Sequence, residues 1–360
     1  DLRGLDINYL PPEIGNLTNL INLYITGSQL RSLPPEIGNL TNLRTLRLVS
    51  SELTSLPPQI GNLKNLEILY LSGNPLVDLP NEFSQLENLR QLELASTQLN
   101  TFPLAITSLT SLHYLDLANN DLSTLPAEIG NLQNLITLRL DYNQLVTLPG
   151  EISNFSNLDT LDVSYNQLRG VPSEIGNLQN LLYLDLDHNR LTSLPSEIGN
   201  LSRLSNFSLH NNQLTVLPAE IGNLVNLTNL TLHYNRLTML PSTIGNLNQL
   251  SDLQLYNNQL VTLPSGLGNL ENLEIIDAQN NRLQVLPANI GELSNLAILR
   301  LSHNQLITLP TEIGNLSNLD SLELQDNQLT AIPSEIGLLD IGLLFLHDNL
   351  LSGPIPESLL

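Results

Sequence analysis

A leucine recurs every 23 residues through nearly the whole of this 360-residue chain, and no insertion breaks the register. A fixed period of this length indicates that each repeat is one supersecondary unit, which cannot bury its own apolar face and must stack on its neighbours. The spacing therefore predicts a repeat array. The leucines of the series are Leu20, Leu43, Leu66, Leu89, Leu112, Leu135, Leu158, Leu181, Leu204, Leu227, Leu250, Leu273, Leu296 and Leu319.

The first half of each repeat has the pattern of a short strand. With this leucine as position 1, positions 4 and 6 are apolar and their neighbours vary, as in Leu138-Arg139-Leu140. Alternation of this kind is typical of a strand that buries one face. Because so short a strand needs a partner, we predict that equivalent strands of successive repeats pair about 4.8 Å apart in a parallel sheet.

The second half of each repeat has the pattern of a short helix. It reads L-P-x-E-I-G-N-L, with proline at position 15, usually glutamate at position 17 and glycine at position 19, as at Pro126, Glu128 and Gly130. Proline suits the first helical residue, and an acidic side chain suits the first turn. Glycine is expected to end the helix. We predict short helical or 3₁₀ turns on the side away from the strands.

Asparagine occupies position 9 in every repeat from Asn120 to Asn327. A tight turn after a strand leaves buried backbone N–H and C=O groups, and one amide side chain could serve both its own turn and the next. We interpret these asparagines as structural. Early repeats carry Ser28, Ser51 and Thr97 instead, and we expect that end of the array to be the less stable one.

The skeleton L-x-x-L-x-L-x-x-N-x-L, followed by LPxEIGNL, resembles the leucine-rich repeat family. The second half is similar to its 23-residue Ras-suppressor and Scribble-like class, and the SGPIP text that begins at Ser352 resembles plant-type extracellular repeats. The resemblance implies an α/β solenoid shaped like a horseshoe, with the parallel sheet on the concave face and short helical turns on the convex face. It also implies a binding scaffold, without specifying the ligand.

The unbroken period predicts a single domain over residues 1–360, with partial repeats at both ends, and we expect the chain to be a fragment. A formal charge of -22 with only 13 lysines and arginines disfavours nucleic acid and anionic membrane surfaces. The absence of cysteine excludes disulfides and cysteine-bound metals. We expect no membrane insertion. The SGPIP text favours a location outside the cell or at its surface, and the cytoplasm stays as the alternative.

The residues that the repeat does not dictate lie at positions 2, 3, 5, 7 and 8, which should face outward from the strands. All six histidines and eight of the nine tyrosines fall there. Such side chains provide amphipathic contact area at low entropic cost, so we predict that the concave face binds a protein or peptide, preferably cationic, or a glycan. The predicted contact residues are Arg139, Asp141, Tyr142, Asp162, Tyr165, Tyr183, Asp185, Asp187, His188, His210, His233, Tyr234 and Tyr256.

We considered two other functions, hydrolysis and ice binding, and one metal site. Asp162 and Asp185 could act as general acid and base in a hydrolase, but an open sheet offers no closed pocket and no nucleophile motif is present, so we predict no enzyme. Columns of threonine and valine at positions 12 and 13 could bind ice in an extracellular structural protein. Asp187, His210 and His233 form a row beside His188 that could ligate zinc, but a flat row converges poorly, so we predict a solvated polar row, no metal and no cofactor.

Overall fold

The computed structural model describes residues 1–5 and 7–352. The chain divides into two compact units, Asp1–Leu168 and Arg169–Leu360. Both units repeat the same two elements, a strand of three to five residues and a 3₁₀ helix of five residues, as the alternation of the sequence predicts. The SGPIP text lies outside the described residues except for Ser352. Among the described residues, no helix is long and apolar enough to cross a lipid bilayer.

Within the first unit, the strands of successive repeats pair in parallel. Its described strands are β1 (Asn22–Thr26), β2 (Thr45–Val49), β3 (Ile68–Tyr70), β4 (Gln91–Glu93), β5 (Tyr114–Asp116), β6 (Thr137–Arg139) and β7 (Thr160–Asp162). Its 3₁₀ helices are η1 (Pro12–Asn16), η2 (Pro35–Asn39), η3 (Pro58–Asn62), η4 (Asn81–Gln85), η5 (Leu104–Ser108), η6 (Ala127–Asn131) and η7 (Gly150–Asn154).

The second unit has the same parallel pairing between successive repeats. Its described strands are β8 (Tyr183–Asp185), β9 (Asn206–Ser208), β10 (Asn229–Thr231), β11 (Asp252–Gln254), β12 (Ile275–Asp277), β13 (Ile298–Arg300), β14 (Ser321–Glu323) and β15 (Leu343–Phe345). Its 3₁₀ helices are η8 (Ser173–Asn177), η9 (Ser196–Asn200), η10 (Ala219–Asn223), η11 (Ser242–Asn246), η12 (Ser265–Asn269), η13 (Ala288–Glu292), η14 (Thr311–Asn315) and η15 (Ser334–Leu338).

Leucine and isoleucine side chains fill the interior of each unit between the sheet and the 3₁₀ helices. Leu138 and Leu140 of the first unit and Leu184 and Leu186 of the second are completely buried. Burial of a leucine side chain stabilises the fold by about 1.5–3 kcal/mol. Because neighbouring repeats are needed to cover these side chains, the core forms only when repeats stack. The positions predicted to face inward are confirmed.

The proline of position 15 lies one residue earlier than predicted. Pro126 precedes η6 with an extended backbone (φ -75°, ψ 154°), and its carbonyl oxygen accepts a hydrogen bond of 3.1 Å from the Ile129 N–H. It therefore caps the helix rather than forming its first residue, although Glu128 does lie in the first turn. In η1, a second proline, Pro12, occupies the first helical position.

The glycine of position 19 does not end the helix, which corrects the predicted role. Gly130 lies inside η6, which continues to Asn131. A Cβ atom added at Gly130 would lie 2.7 Å from the carbonyl oxygen of Glu151 in the next repeat. Glycine is therefore needed at this repeat, because η6 and the 3₁₀ helix of the next repeat approach too closely for a side chain; Ser84, Thr107 and Ser153 occupy the same position elsewhere.

The asparagine of position 9 joins adjacent turns, as predicted. Nδ2 of Asn143 donates to the Leu140 carbonyl of its own repeat at 3.0 Å and to the Leu117 carbonyl of the preceding repeat at 2.9 Å. Its Oδ1 accepts a hydrogen bond of 3.0 Å from the Leu122 N–H. The second turn belongs to the preceding repeat rather than the following one. Nδ2 also donates to the Asp141 carbonyl at 3.3 Å, so one buried amide bonds four backbone groups.

The sheet surface opposite the leucine core, which we call the variable face, carries positions 3, 5, 7 and 8. Strand register places equal positions side by side: Asp116 pairs with Arg139, and Arg139 pairs with Asp162. The predicted ladders of side chains are therefore present within the first unit. Position 7 is less exposed than predicted, since Asp141 and Asp187 are buried.

Candidate functional site

Position 8 has an unusual backbone in both units. Its residues leave the strand in the left-handed region, with φ between 46° and 57° wherever the residue is not glycine. Glycine and asparagine adopt this conformation readily, whereas other side chains pay about 1–2 kcal/mol. Asn119 and Asn257 make the turn with a favoured residue, but Tyr142, Tyr165 and Tyr234 make it with a bulky ring. The fold therefore requires the turn, not the aromatic side chain.

Six residues of the first unit form a group that we call the acidic patch. Nη2 of Arg139 donates to Oδ2 of Asp141 at 3.3 Å, and its Nη1 lies 3.9 Å from Oδ2 of Asp116. One arginine thus faces several carboxylates, so the patch carries net negative charge. Its members are Asp116, Arg139, Asp141, Tyr142, Asp162 and Tyr165.

Burial changes the ionisation of the acidic patch. It raises the pKa of Asp116 and of Asp141 above the ordinary value for aspartate. For Asp141, the charge of Asp162 raises the pKa further, and the nearby Arg139 guanidinium opposes both effects. These two carboxylates are therefore poorly solvated, and a cationic group that reached them would relieve that cost.

The tyrosines of the acidic patch form a flat platform. The rings of Tyr142 and Tyr165 stack with centroids 4.1 Å apart and planes inclined by 9°. Tyr142 remains 51% exposed and Tyr165 remains 38% exposed. An exposed aromatic pair beside carboxylates can bind a cation, an arginine plane or the apolar face of a sugar.

Eight residues of the second unit form a group that we call the histidine–tyrosine patch. The rings of His210 and His233 stack at 4.4 Å, and the rings of His233 and Tyr256 stack at 4.3 Å. Tyr234 meets Tyr256 edge-on at 5.4 Å. The sheet register thus builds a continuous ring surface. The members are Tyr183, Asp185, Asp187, His188, His210, His233, Tyr234 and Tyr256.

Two histidines of this patch converge on one buried carboxylate. Nε2 of His210 lies 3.0 Å from Oδ2 of Asp187, and Nδ1 of His188 lies 3.2 Å from Oδ1. His233 does not join them. Burial, with a contribution from His210, lowers the pKa of His233 to about 4, so its ring is neutral at neutral pH. Within the described residues, its Nδ1 has no hydrogen-bond partner.

The aspartates of position 5 have a structural role that the sequence analysis missed. Oδ1 of Asp116 accepts a hydrogen bond of 2.9 Å from the Ala118 N–H, and Oδ1 of Asp185 accepts one of 3.0 Å from the Asp187 N–H. The carboxylate bonds the backbone where it leaves the strand. The sequence contained a signal for this role, because aspartate recurs at position 5 in several repeats.

A second feature that the sequence analysis missed lies near the start of the first unit. A shallow depression of about 750 Å³ is lined by two arginines and two tyrosines, among other residues. The guanidinium of Arg47 lies over the ring of Tyr70, 4.7 Å from its centroid, and Arg3 lies 5.7 Å from the centroid of Tyr24. Arg3 also pairs with Asp1 at 2.6 Å. Tyrosine and arginine alternating at position 5 were the available signal.

All thirteen predicted contact residues belong to the repeat positions that form the variable face. The structure brings Arg139, Asp141, Tyr142, Asp162 and Tyr165 together in the acidic patch, to which it adds Asp116. The other eight predicted residues make up the histidine–tyrosine patch of the second unit. The thirteen residues thus lie in two groups, one in each unit.

Several solved structures resemble this chain. A leucine-rich repeat protein from Leptospira interrogans, LIC12759, is 38% identical and has a TM-score of 0.81, with 95% of this chain and 94% of that chain covered. The plant peptide hormone receptor RGFR1, solved in complex with RGF2, is 33% identical with a TM-score of 0.80, and the match covers all of this chain and 63% of the receptor.

The ectodomain of the Arabidopsis receptor kinase HAESA, in complex with an extended IDA peptide hormone, is 32% identical with a TM-score of 0.76. That match covers 98% of this chain and 62% of the receptor. A search of curated proteins found no match. The family model described as a leucine-rich repeat region matches residues 35–113, 104–182, 138–214, 173–262, 207–285 and 243–323. The chain therefore belongs to the leucine-rich repeat family.

Proposed function

We propose that this chain is a non-enzymatic scaffold that binds a protein or peptide partner on the variable face. The carrying observation is the presence of tyrosine at position 8, where the left-handed backbone favours asparagine or glycine. Tyr142, Tyr165 and Tyr234 are kept there at a conformational cost, and all three are exposed. Exposed aromatic anchors are typical of binding hot spots, so a binding role accounts for aromatic side chains at a turn that disfavours them.

The similar plant receptors support a peptide as the class of partner, since two of them were solved with peptide hormones bound. The chain spans about three fifths of each of those receptors, so the identity of their hormones does not carry over. The chemistry of the patches favours a cationic sequence with aromatic or arginine side chains. Arginine could stack on Tyr142 and Tyr165 while its charge meets Asp141.

A glycan is the second candidate partner, and the Tyr142–Tyr165 platform is the observation that favours it. The apolar face of a sugar ring can lie on an exposed aromatic pair while its hydroxyl groups donate to neighbouring carboxylates. The finer assignment to the Ras-suppressor and Scribble-like class stays a prediction. Ice binding also stays a prediction. The exposure of Val146 and Ile307 in the predicted column is compatible with it.

The location inferred for this function is outside the cell or at its surface. The receptor ectodomains among the similar structures support it. The cytoplasm stays as the alternative, because the similarity to the Leptospira interrogans protein indicates no cellular compartment. Occupied glycosylation at a sequon such as Asn226-Leu227-Thr228, measured by mass spectrometry of the native protein, would support the extracellular location.

The binding proposal can be tested with random peptides displayed on phage and, in parallel, a glycan array. We expect enrichment of cationic peptides, whose affinity is then measured by fluorescence anisotropy. The double variant Tyr142→Asn/Tyr165→Asn should bind them at least about tenfold more weakly, because the platform is lost while the turns remain favourable. His303→Asn changes position 8 outside both patches and should have no effect. Equal affinity of the double variant would refute the proposal.

A further inference from the structure

We propose that Asp187, His188 and His210 of the second unit bind a zinc ion. One carboxylate oxygen and one ring nitrogen from each histidine lie within 4.8 Å of one another. This departs from the expectation of a solvated polar row, because the sequence placed His233 in the row and left His188 beside it. Strand register and the turn at position 8 instead bring His188 to the carboxylate.

The distances suit a zinc ion. Zinc bonds to nitrogen and carboxylate oxygen are about 2.0–2.2 Å long, so neighbouring ligand atoms of a tetrahedral site lie about 3.3 Å apart. His210 Nε2 lies 3.0 Å from Asp187 Oδ2 and His188 Nδ1 lies 3.2 Å from Oδ1, so each ring nitrogen is near that spacing from the carboxylate oxygen that it faces. The two imidazole rings are 5.1 Å apart and inclined by 84°, so both can point at one ion.

The surroundings orient the ligands. The Thr231 hydroxyl lies 3.5 Å from Nδ1 of His210, on the opposite side of the ring from Asp187. The same ring stacks on His233 at 4.4 Å. A hydrogen bond to the second ring nitrogen is the usual support of a zinc-binding histidine, because it selects the tautomer and fixes the ring. The 3.0 Å contact with Asp187 already turns Nε2 of His210 toward the proposed position of the ion.

The electrostatics also favour a cation. Asp187 is buried, and among the described residues its ion-pair partners are the two histidines, with no arginine or lysine. In the acidic patch, by contrast, Asp141 already has an arginine, Arg139, as an ion-pair partner. Binding would displace any proton held on the coordinating nitrogens into solvent. Two imidazole ligands select zinc over calcium or magnesium. Three protein ligands leave one position for water or for a donor from a partner.

The test is isothermal titration of the full chain with zinc chloride at neutral pH. We expect about one zinc ion per chain. His210→Gln and His188→Asn should each weaken binding at least about tenfold, since loss of even a supporting group costs about 10–100-fold. Both substitutions suit their turns, because Gln279 and Asn257 occupy the same positions in other repeats. Urea unfolding of the variants checks that they fold.

His303→Asn is the matched control. Nδ1 of His303 lies 3.5 Å from Oδ2 of Asp326, but no second histidine joins that pair among the described residues. We expect this variant to bind zinc as the wild type does, and calcium chloride to give no heat with either protein. No zinc heat from the wild type, equal affinity in the His210 and His188 variants, or equal affinity for calcium would overturn the proposal. Because the probe is zinc alone, the result is independent of peptide binding.

Discussion

At the scale of the residue, the backbone and the side chain have different requirements at position 8. The repeat needs a left-handed residue there, and Asn119, Asn211 and Asn257 meet that need with little strain. Tyr142 adopts the same conformation with a large exposed ring. Asparagine is therefore a better substitution than alanine for removing the ring, because alanine keeps the strain.

We predict that Tyr142→Asn is more stable than Tyr142→Ala by about 1 kcal/mol. Both variants lose the stack on Tyr165, worth about 0.5–1.5 kcal/mol, but only asparagine relieves the left-handed strain of about 1–2 kcal/mol. The free energy of unfolding from urea titrations measures the difference. Equal stability of the two variants would contradict the argument that this turn selects against tyrosine.

Asp141 offers a second residue-scale prediction. Its pKa in the folded protein is raised, chiefly by burial and then by Asp162, so the folded state holds its proton more tightly than the unfolded state. Stability therefore falls as the pH rises from the ordinary aspartate pKa through the folded value. Asp141→Asn should therefore increase the free energy of unfolding at pH 7.

This gain should vanish below about pH 4, where the wild-type aspartate is protonated in both states. Urea titrations at neutral and acidic pH would measure it. Glu128→Gln is the control, because Glu128 is exposed on a 3₁₀ helix and should show no such change. A gain that persisted unchanged in acid would show that the effect comes from packing and not from charge.

At the scale of the element, the close approach of η6 and η7 explains the glycine at residue 130. We predict that Gly130→Ala costs at least about 2 kcal/mol, since the new methyl group would lie 2.7 Å from the carbonyl oxygen of Glu151 and overpacking typically costs 1–3 kcal/mol. Urea or thermal unfolding measures the loss. Gly170→Ala is the matched control, with no atom within 4 Å of its added Cβ, and should be neutral. Similar losses at both sites would rule out the steric explanation.

At the scale of the whole molecule, the charge of -22 acts on stability as well as on partners. Self-repulsion of a strongly charged chain disfavours the compact state, and salt screens it. We predict that the urea midpoint rises when sodium chloride increases from about 10 mM to about 200 mM, where the Debye length shortens from about 30 Å to less than 10 Å. A midpoint that falls over this range would mean that local ion pairs such as Arg300–Glu323 outweigh the net charge.

The sequence by itself determined the repeating architecture, because the period of 23 residues and the alternation of Leu138 and Leu140 around Arg139 are statements about which side chains must leave water. It also determined that Asn143 would be structural. Positions 2, 3, 5, 7 and 8 were predicted to face outward, but Asp141 and Asp187 at position 7 are buried. The equal length of the repeats and the shared buried face favoured the register in which equal positions lie side by side.

Only the tertiary structure decided the details that depend on distances between repeats. Gly130 has no room for a Cβ atom because successive helices lie close together. The distance between helices cannot be deduced from the pattern of residues along the chain. The left-handed turn at Tyr142, the burial of Asp187 and the convergence of His188 and His210 on its carboxylate arise where the chain leaves the strand. At these turns, the sequence pattern predicts which residues are neighbours, and three-dimensional packing determines which of their atoms are in contact.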